Sequence, residues 1–160
     1  MNPDRTDKKP LGFNELKGWL RHRHPMILLD RILDHQPGEF LTGLLVASAG
    51  LDFMAGHFPD RAIYPGTHLL QAFSQTGILL FQLSSTPLDD QEMTVISSLE
   101  ARFFKVVVPG DRVEIHTRIE QLRREHCSFA GQGLVDGIRV AAFRARLVRA
   151  QISKFGEPLW

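Results

Sequence analysis

From Thr67 to Leu83 the chain contains no proline, and apolar side chains recur on every face of the helix it would form: Leu69, Leu70, Ala72, Phe73, Ile78, Leu79, Leu80, Phe81 and Leu83. A helix apolar all round has to be enclosed by the rest of its domain. The chain has 160 residues, which suits one ordinary domain and crowds two. The remaining sequence therefore has to supply a wrapping layer.

That layer reads as strands. Val113, Ile115, Thr117 and Ile119 alternate with Glu114, His116, Arg118 and Glu120, the period of a half-buried strand. Segments 94–108, 112–122, 126–135 and 138–149 read as successive strands with turns at Pro109-Gly110-Asp111 and Asp136-Gly137, and are predicted to form an antiparallel meander. Upstream, 26–35 and 40–49 read as two more strands joined by Gln36, Pro37 and Gly38. Phe13, Leu16, Trp19 and Leu20 fall at helical spacing, giving a short covering helix that Pro25 terminates. The expectation is an α+β domain over 11–150, a curled antiparallel sheet around a central helix near 67–83, with tails at 1–10 and 151–160. Residues 50–66, broken by Gly50, Gly56, Pro59, Pro65 and Gly66, read as a loop, where chemistry often sits.

Several function classes recede on composition. Lys+Arg 19 against Asp+Glu 18 offers no bulk polycation for nucleic acid or an anionic membrane. The charge is uneven, however, and residues 101–160 carry 11 basic and 6 acidic side chains, a surface suited to an acidic partner. The one cysteine, Cys127, excludes an internal disulfide and a cysteine metal cluster, and reads as a buried thiol in a reducing compartment. No apolar run approaches a membrane span, and the Met1 region lacks the apolar core of a signal peptide, so a cytoplasmic location is expected. There is no glycine-rich phosphate loop, GxSxG elbow or HExxH. His22 and His24 bracket Arg23 without further ligands at metal spacing, so no metal is expected. His35, His116 and His126 read as isolated, solvent-facing histidines.

The informative segment is Gly56-His57-Phe58-Pro59, with Pro65-Gly66 eight residues after His57 at the start of the enclosed helix. A helix N-terminus offers unpaired N–H groups and partial positive charge, able to hold a carbonyl oxygen while an imidazole takes a proton from the adjacent carbon. That arrangement suits a thioester. A turn histidine satisfied by backbone is the plainer reading of the same residues.

Three ordered blocks, RHRHPMILLDRIL, FMAGHFPDRAIYPGTHLLQAFSQTGILL and LEARFFKVVVPGDRVEI, resemble the hot-dog-fold dehydratases of the FabZ/FabA type, which act on 3-hydroxyacyl groups carried by acyl carrier protein. The resemblance covers about residues 11 to 149 and implies a dimer with an acyl tunnel at the subunit interface and no cofactor beyond the carrier's phosphopantetheine. It assigns His57 to the thioester end and the Gly66 N–H to the carbonyl. The carboxylate that handles the hydroxyl in the family falls at Gln71, and a glutamine cannot deliver a proton. His68, one helical turn before Gln71, either replaces the missing acid or turns its ring to solvent or a partner. Phe58, Tyr64, Phe73 and Phe103 are candidate tunnel residues, each also readable as core. Arg102, Lys105, Arg123 and Arg124 are candidate carrier contacts, or a solvated face. The implied function is dehydration in fatty acid or related polyketide or polyene synthesis; the alternatives are an impaired subunit completing a heterodimer with an active homologue, and a thioesterase.

Overall fold

The computed structural model describes residues 10–157, so most of the expected N-terminal tail and the last three residues lie outside the described residues. The central helix forms as read: α2 spans Gly66–Ser84, and its buried residues run continuously from Ala72 to Gln82. Around it curls one six-stranded antiparallel sheet: β1 (Arg31–Gln36), β2 (Phe40–Val46), β3 (Glu92–Phe103), β4 (Arg112–Leu122), β5 (His126–Val135) and β6 (Ile138–Gln151). A short helix α1 (Phe13–Trp19) covers one side through Leu16, and a 3-10 turn at Asp52–Gly56 interrupts the loop before α2. A second 3-10 turn, Ile152–Phe155, follows β6.

The sheet order is β1-β2-β4-β5-β6-β3, which corrects the predicted meander. The strands β4, β5 and β6 are sequential neighbours, but β3 pairs with β6 from Glu92 opposite Gln151 to Phe103 opposite Ala141. It does not pair with β4. The physical reason lies in residues 104–111, which leave the edge beside β6 and cross to the other side of the sheet. Phe104 N–H still donates to Val140 O, then Val107 O accepts from Tyr64 N–H at 2.7 Å. Finally Gly110 N–H and Asp111 O bond to Ala47 O and N–H at 2.7 and 2.9 Å. Pro109-Gly110-Asp111 is thus a hook onto the end of β2, where the local sequence reads as a hairpin.

Register shifts with an extra residue in β1, β3, β4 and β6 bend the strands, as extra residues in one strand of a pair do by raising local twist. The helix meets the curl at Gly77, where an added Cβ would lie 2.1 Å from the Phe129 ring of β5. Only glycine allows that approach. Polar residues on the buried helix are satisfied: Thr76 Oγ1 lies 2.7 Å from both Phe73 O and Thr117 Oγ1, as burial of a hydroxyl requires.

Two helix glutamines peg the N-terminal segment. Gln75 Oε1 accepts from Leu28 N–H at 3.0 Å and its Nε2 donates to Met26 O at 2.6 Å. Gln82 Nε2 donates to Trp19 O at 2.7 Å. Residues 26–28, read as part of a strand, are therefore a strap bonded to a helix; Asp30 N–H already donates to Leu44 O at 2.9 Å, and β1 begins at Arg31. Cys127 is a fully buried free thiol, pushed up to about 12 by burial. His35, His116 and His126 are half-buried where solvent-facing rings were expected. Among the described residues, no helix is long and apolar enough to cross a membrane.

Candidate functional site

His57 follows the 3-10 turn, and its position is set by backbone. Its Nδ1 lies 2.8 Å from Ile63 O, and its own carbonyl accepts from Ile63 N–H at 2.9 Å. The intervening loop is closed by reciprocal bonds between Phe58 and Arg61 at 3.0 and 3.1 Å. A carbonyl oxygen only accepts, so Nδ1 carries a proton, and in the neutral tautomer that makes this bond the lone pair is on Nε2. Phe58, half exposed, stacks on its ring at 4.3 Å between centroids.

Ile63 stands two residues before Pro65, the N-cap of α2, so the same loop sets His57 beside the helix start. Gly66 is the first helical residue, and its N–H is one of the donors that a helix leaves unpaired. The Phe103 ring lies across it: an added Cβ on Gly66 would come within 3.1 Å of Phe103 Cζ. An open groove of about 270 Å³ runs here, between Tyr64, Gly66 and Leu69 on one wall and Phe103, Phe104 and Lys105 on the other. The second wall is the crossing segment that the predicted hairpin would have removed.

His68, on the first turn of α2, stacks against Phe53 at 4.1 Å and meets Tyr64 edge-on at 6.3 Å. Desolvation, and then the positive charge that His57 can carry, hold its pKa below the ordinary histidine value. The His68 ring is thereby biased toward its neutral form. Tyr64 is 2% exposed, and burial, then the Asp30 carboxylate, push its phenol up to about 12. It stays a neutral phenol. Gln71, one turn beyond His68, is half-buried, and its side chain makes no hydrogen bond among the described residues. No group of three or more metal-ligating side chains converges among the described residues.

The candidate residues separate on this geometry. His57, Phe58, Tyr64, Gly66, His68 and Phe103 gather around the start of α2. Phe73 is fully buried and stacks on Phe143 at 4.3 Å, a core pair. Lys105 lines the groove, while Arg102 lines a separate shallow groove on the outer side of the sheet with Ala130 and Arg144. Arg123 and Arg124 occupy the β4–β5 turn, about 35 Å along β4 from Asp111 and so at the far end of the sheet. Sequence reasoning missed Ile63, whose contribution is backbone alone and leaves no side-chain signal. It also missed Phe53 as the platform for His68.

Comparison with known proteins fits this geometry. The FabA-like domain family matches residues 20–144. Over the full length of both chains the protein is 46% identical to a coronafacic acid dehydratase of Pseudomonas savastanoi pv. glycinea. It is 40% identical to a 3-hydroxyacyl-[acyl-carrier-protein] dehydratase FabZ of Colwellia psychrerythraea, covering 82% of this chain and 89% of the relative. Among solved structures, the dehydratase heterocomplex ApeI:P of Xenorhabdus doucetiae aligns with a TM-score of 0.73 at 13% identity, over 89% of this chain and 97% of that one. The Escherichia coli PaaI protein aligns with a TM-score of 0.58 at 15% identity, over 73% and 80%. Fold, sequence and family match agree, and the chain belongs to the FabA-like family with its hot-dog fold.

Proposed function

We propose that this protein eliminates water from a 3-hydroxyacyl thioester carried by acyl carrier protein, in the synthesis of a fatty or polyketide-type acyl chain. The observation that carries the reading is the bond between His57 Nδ1 and Ile63 O, which leaves Nε2 as the base beside the free N–H of Gly66. The Gly66 N–H and the α2 dipole draw electron density onto the thioester oxygen and acidify the adjacent carbon. His57 Nε2 takes that α-proton, the C2–C3 double bond forms, and the C3–O bond breaks. The hydroxyl leaves as water by taking a proton.

Gln71 stands where the family places a carboxylate, and its amide donates a hydrogen bond without giving up a proton. The imidazolium of His57 then has to return the proton to the departing hydroxyl. Losing a separate general acid costs about 10²–10⁴ in rate, so turnover is slow but present. Both dehydratase relatives support the reaction class. The working unit is a dimer or larger, with no cofactor of its own, in the cytoplasm; Lys105 at the groove is the basic residue best set to meet an acidic carrier.

A second reading rests on Gln71 alone. A protomer lacking the acid gains one by pairing with a carboxylate-bearing homologue, and the ApeI:P structure is a dehydratase heterocomplex of this fold. Mass analysis of 3-hydroxyacyl carrier protein incubated with wild type, His57→Ala and Gln71→Glu separates the readings. Loss of water by the wild type and not by His57→Ala supports the enzyme. Turnover only by Gln71→Glu supports the subunit, and release of the acyl chain means thioesterase.

A further inference from the structure

Thr117 and Phe129 meet α2 from the sheet, so their neighbours Arg118 and Ala130 point to its outer face. There the register aligns Arg118, Ala130, Arg144 and Glu100 in one row across β4, β5, β6 and β3. The next row is His116, Gln132, Ala142 and Arg102. Ala130 and Ala142 are thus diagonal neighbours, one short side chain in each row among longer ones. Two open hollows meet over these alanines, one of about 230 Å³ reaching Glu100 and Arg102, the other of about 480 Å³ reaching His116 and Arg118. Together they make a trough across four strands, about 14 Å from β4 to β3 at ordinary strand spacing.

The charge of this trough is unbalanced. Arg144 is already paired, its Nε and Nη2 donating to the two carboxylate oxygens of Glu120 at 3.0 and 2.7 Å. Arg102, Arg118 and Arg139 are exposed, line the two hollows, and make no ion pair among the described residues. Aromatic rings orient two of them instead: Arg139 lies 4.5 Å from the centre of the Phe104 ring, and Arg118 lies 5.9 Å from that of Phe40. A guanidinium seated on a ring keeps its N–H donors unspent. We propose that the trough docks an acidic helix of a partner protein, the alanine floor receiving the helix while Arg102, Arg118 and Arg139 meet its carboxylates. One small anion cannot reach both Arg118 and Arg102, whereas acidic side chains two to three turns apart on a helix are separated by about 11–16 Å. A second copy of the same face would set arginine against arginine. A nucleic acid would bring uniformly charged phosphates against Glu100, which lines the same trough; a protein helix can put a neutral or basic side chain there. Because the trough lies on the side of the sheet away from α2, docking leaves Gly66 uncovered, and the inference is independent of the reaction proposed for His57.

The test is binding of a defined probe. The probe is a labelled, stapled helical peptide of about fourteen residues, alanine-rich, with glutamates on one face and the outermost of them about three turns apart. A control peptide carries glutamine at each of those positions. Fluorescence anisotropy at low salt is expected to show about tenfold tighter binding of the glutamate peptide, the scale of several exposed charge pairs together. The difference should shrink as salt is raised. Arg118→Ala and Arg139→Ala are each expected to weaken that binding by about threefold, with thermal melts showing the fold intact. In a nitrogen–proton correlation spectrum the amides of Ala130, Gln132 and Ala142 should move, and that of Gly66 should stay. Equal affinity for the two peptides, variants that bind like the wild type, or shifts gathered at Gly66 overturn the proposal. Tighter binding of a single-stranded DNA of about the same length would overturn the choice of a protein helix as the occupant.

Discussion

His57 and Ile63 are bonded twice, side chain to backbone at 2.8 Å and backbone to backbone at 2.9 Å in the opposite direction, so the imidazole cannot turn without opening the loop that leads into α2. His57 and the start of α2 at Gly66 are parts of one closed stretch of chain.

Removing the imidazole should therefore remove the chemistry and leave the scaffold. His57→Ala is expected to lower kcat for the 3-hydroxyacyl carrier substrate by about 10²–10⁴, because no other base is oriented at the helix start. Steady-state turnover followed by mass, with a thermal melt showing an unchanged fold, checks both halves.

Restoring a carboxylate should do the reverse. Gln71→Glu is expected to raise kcat by about a hundredfold or more and to add an alkaline limb to the pH profile, since the new acid acts only when protonated. A double variant with His57→Ala should stay inactive; activity there would mean that His57 is not the base.

The contact at Gly77 predicts a large stability effect from one methyl group. An added Cβ would stand 2.1 Å from the Phe129 ring, and overpacking of this kind costs about 1–3 kcal/mol. For a chain of this size each kcal/mol lowers Tm by about 2–4 °C. Gly77→Ala should melt early in a calorimetric scan, and Phe129→Leu should recover part of the loss by removing the ring.

Acid should weaken the fold through histidines. His22 and His68 both have pKa values held below the ordinary 6.5, chiefly by desolvation. Between the folded value and 6.5 the unfolded chain binds more protons, so stability rises with pH across that window and is lost as pH falls through it. Denaturant melts from pH 7.5 downward should show the decline beginning near 6.5. His68→Phe, which keeps the stack on Phe53, should flatten it; an unchanged slope would assign the effect elsewhere.

Much of this was legible from residues alone. The all-round apolar pattern of 67–83 demanded an enclosed helix, and the alternation of 113–120 demanded a strand, because each pattern fits one period. His57 and Gly66 were legible because a histidine, a proline-glycine pair and a helix start fall close together. The place of β3 was not, since Pro109-Gly110-Asp111 satisfies a local turn while its bonds to Ala47 are made across the sheet. The strap at 26–28 failed for the same reason: its apolar pattern suits a strand, but its hydrogen bonds go to Gln75, distant in sequence. Patterns report which face a residue needs, and partners far along the chain decide which neighbour it gets.

The crossing segment has a consequence for how such a protein can diversify. Residues 104–111 wall the groove with their side chains and tie Val140, Tyr64 and Ala47 together with their backbone. Insertions or deletions there would unfasten the domain while reshaping the pocket, so loop-length variation, the commonest source of new specificity on other scaffolds, is closed to this wall. Heritable change in what the groove accepts is left to single side-chain exchanges at positions such as Phe103, Phe104 and Leu69.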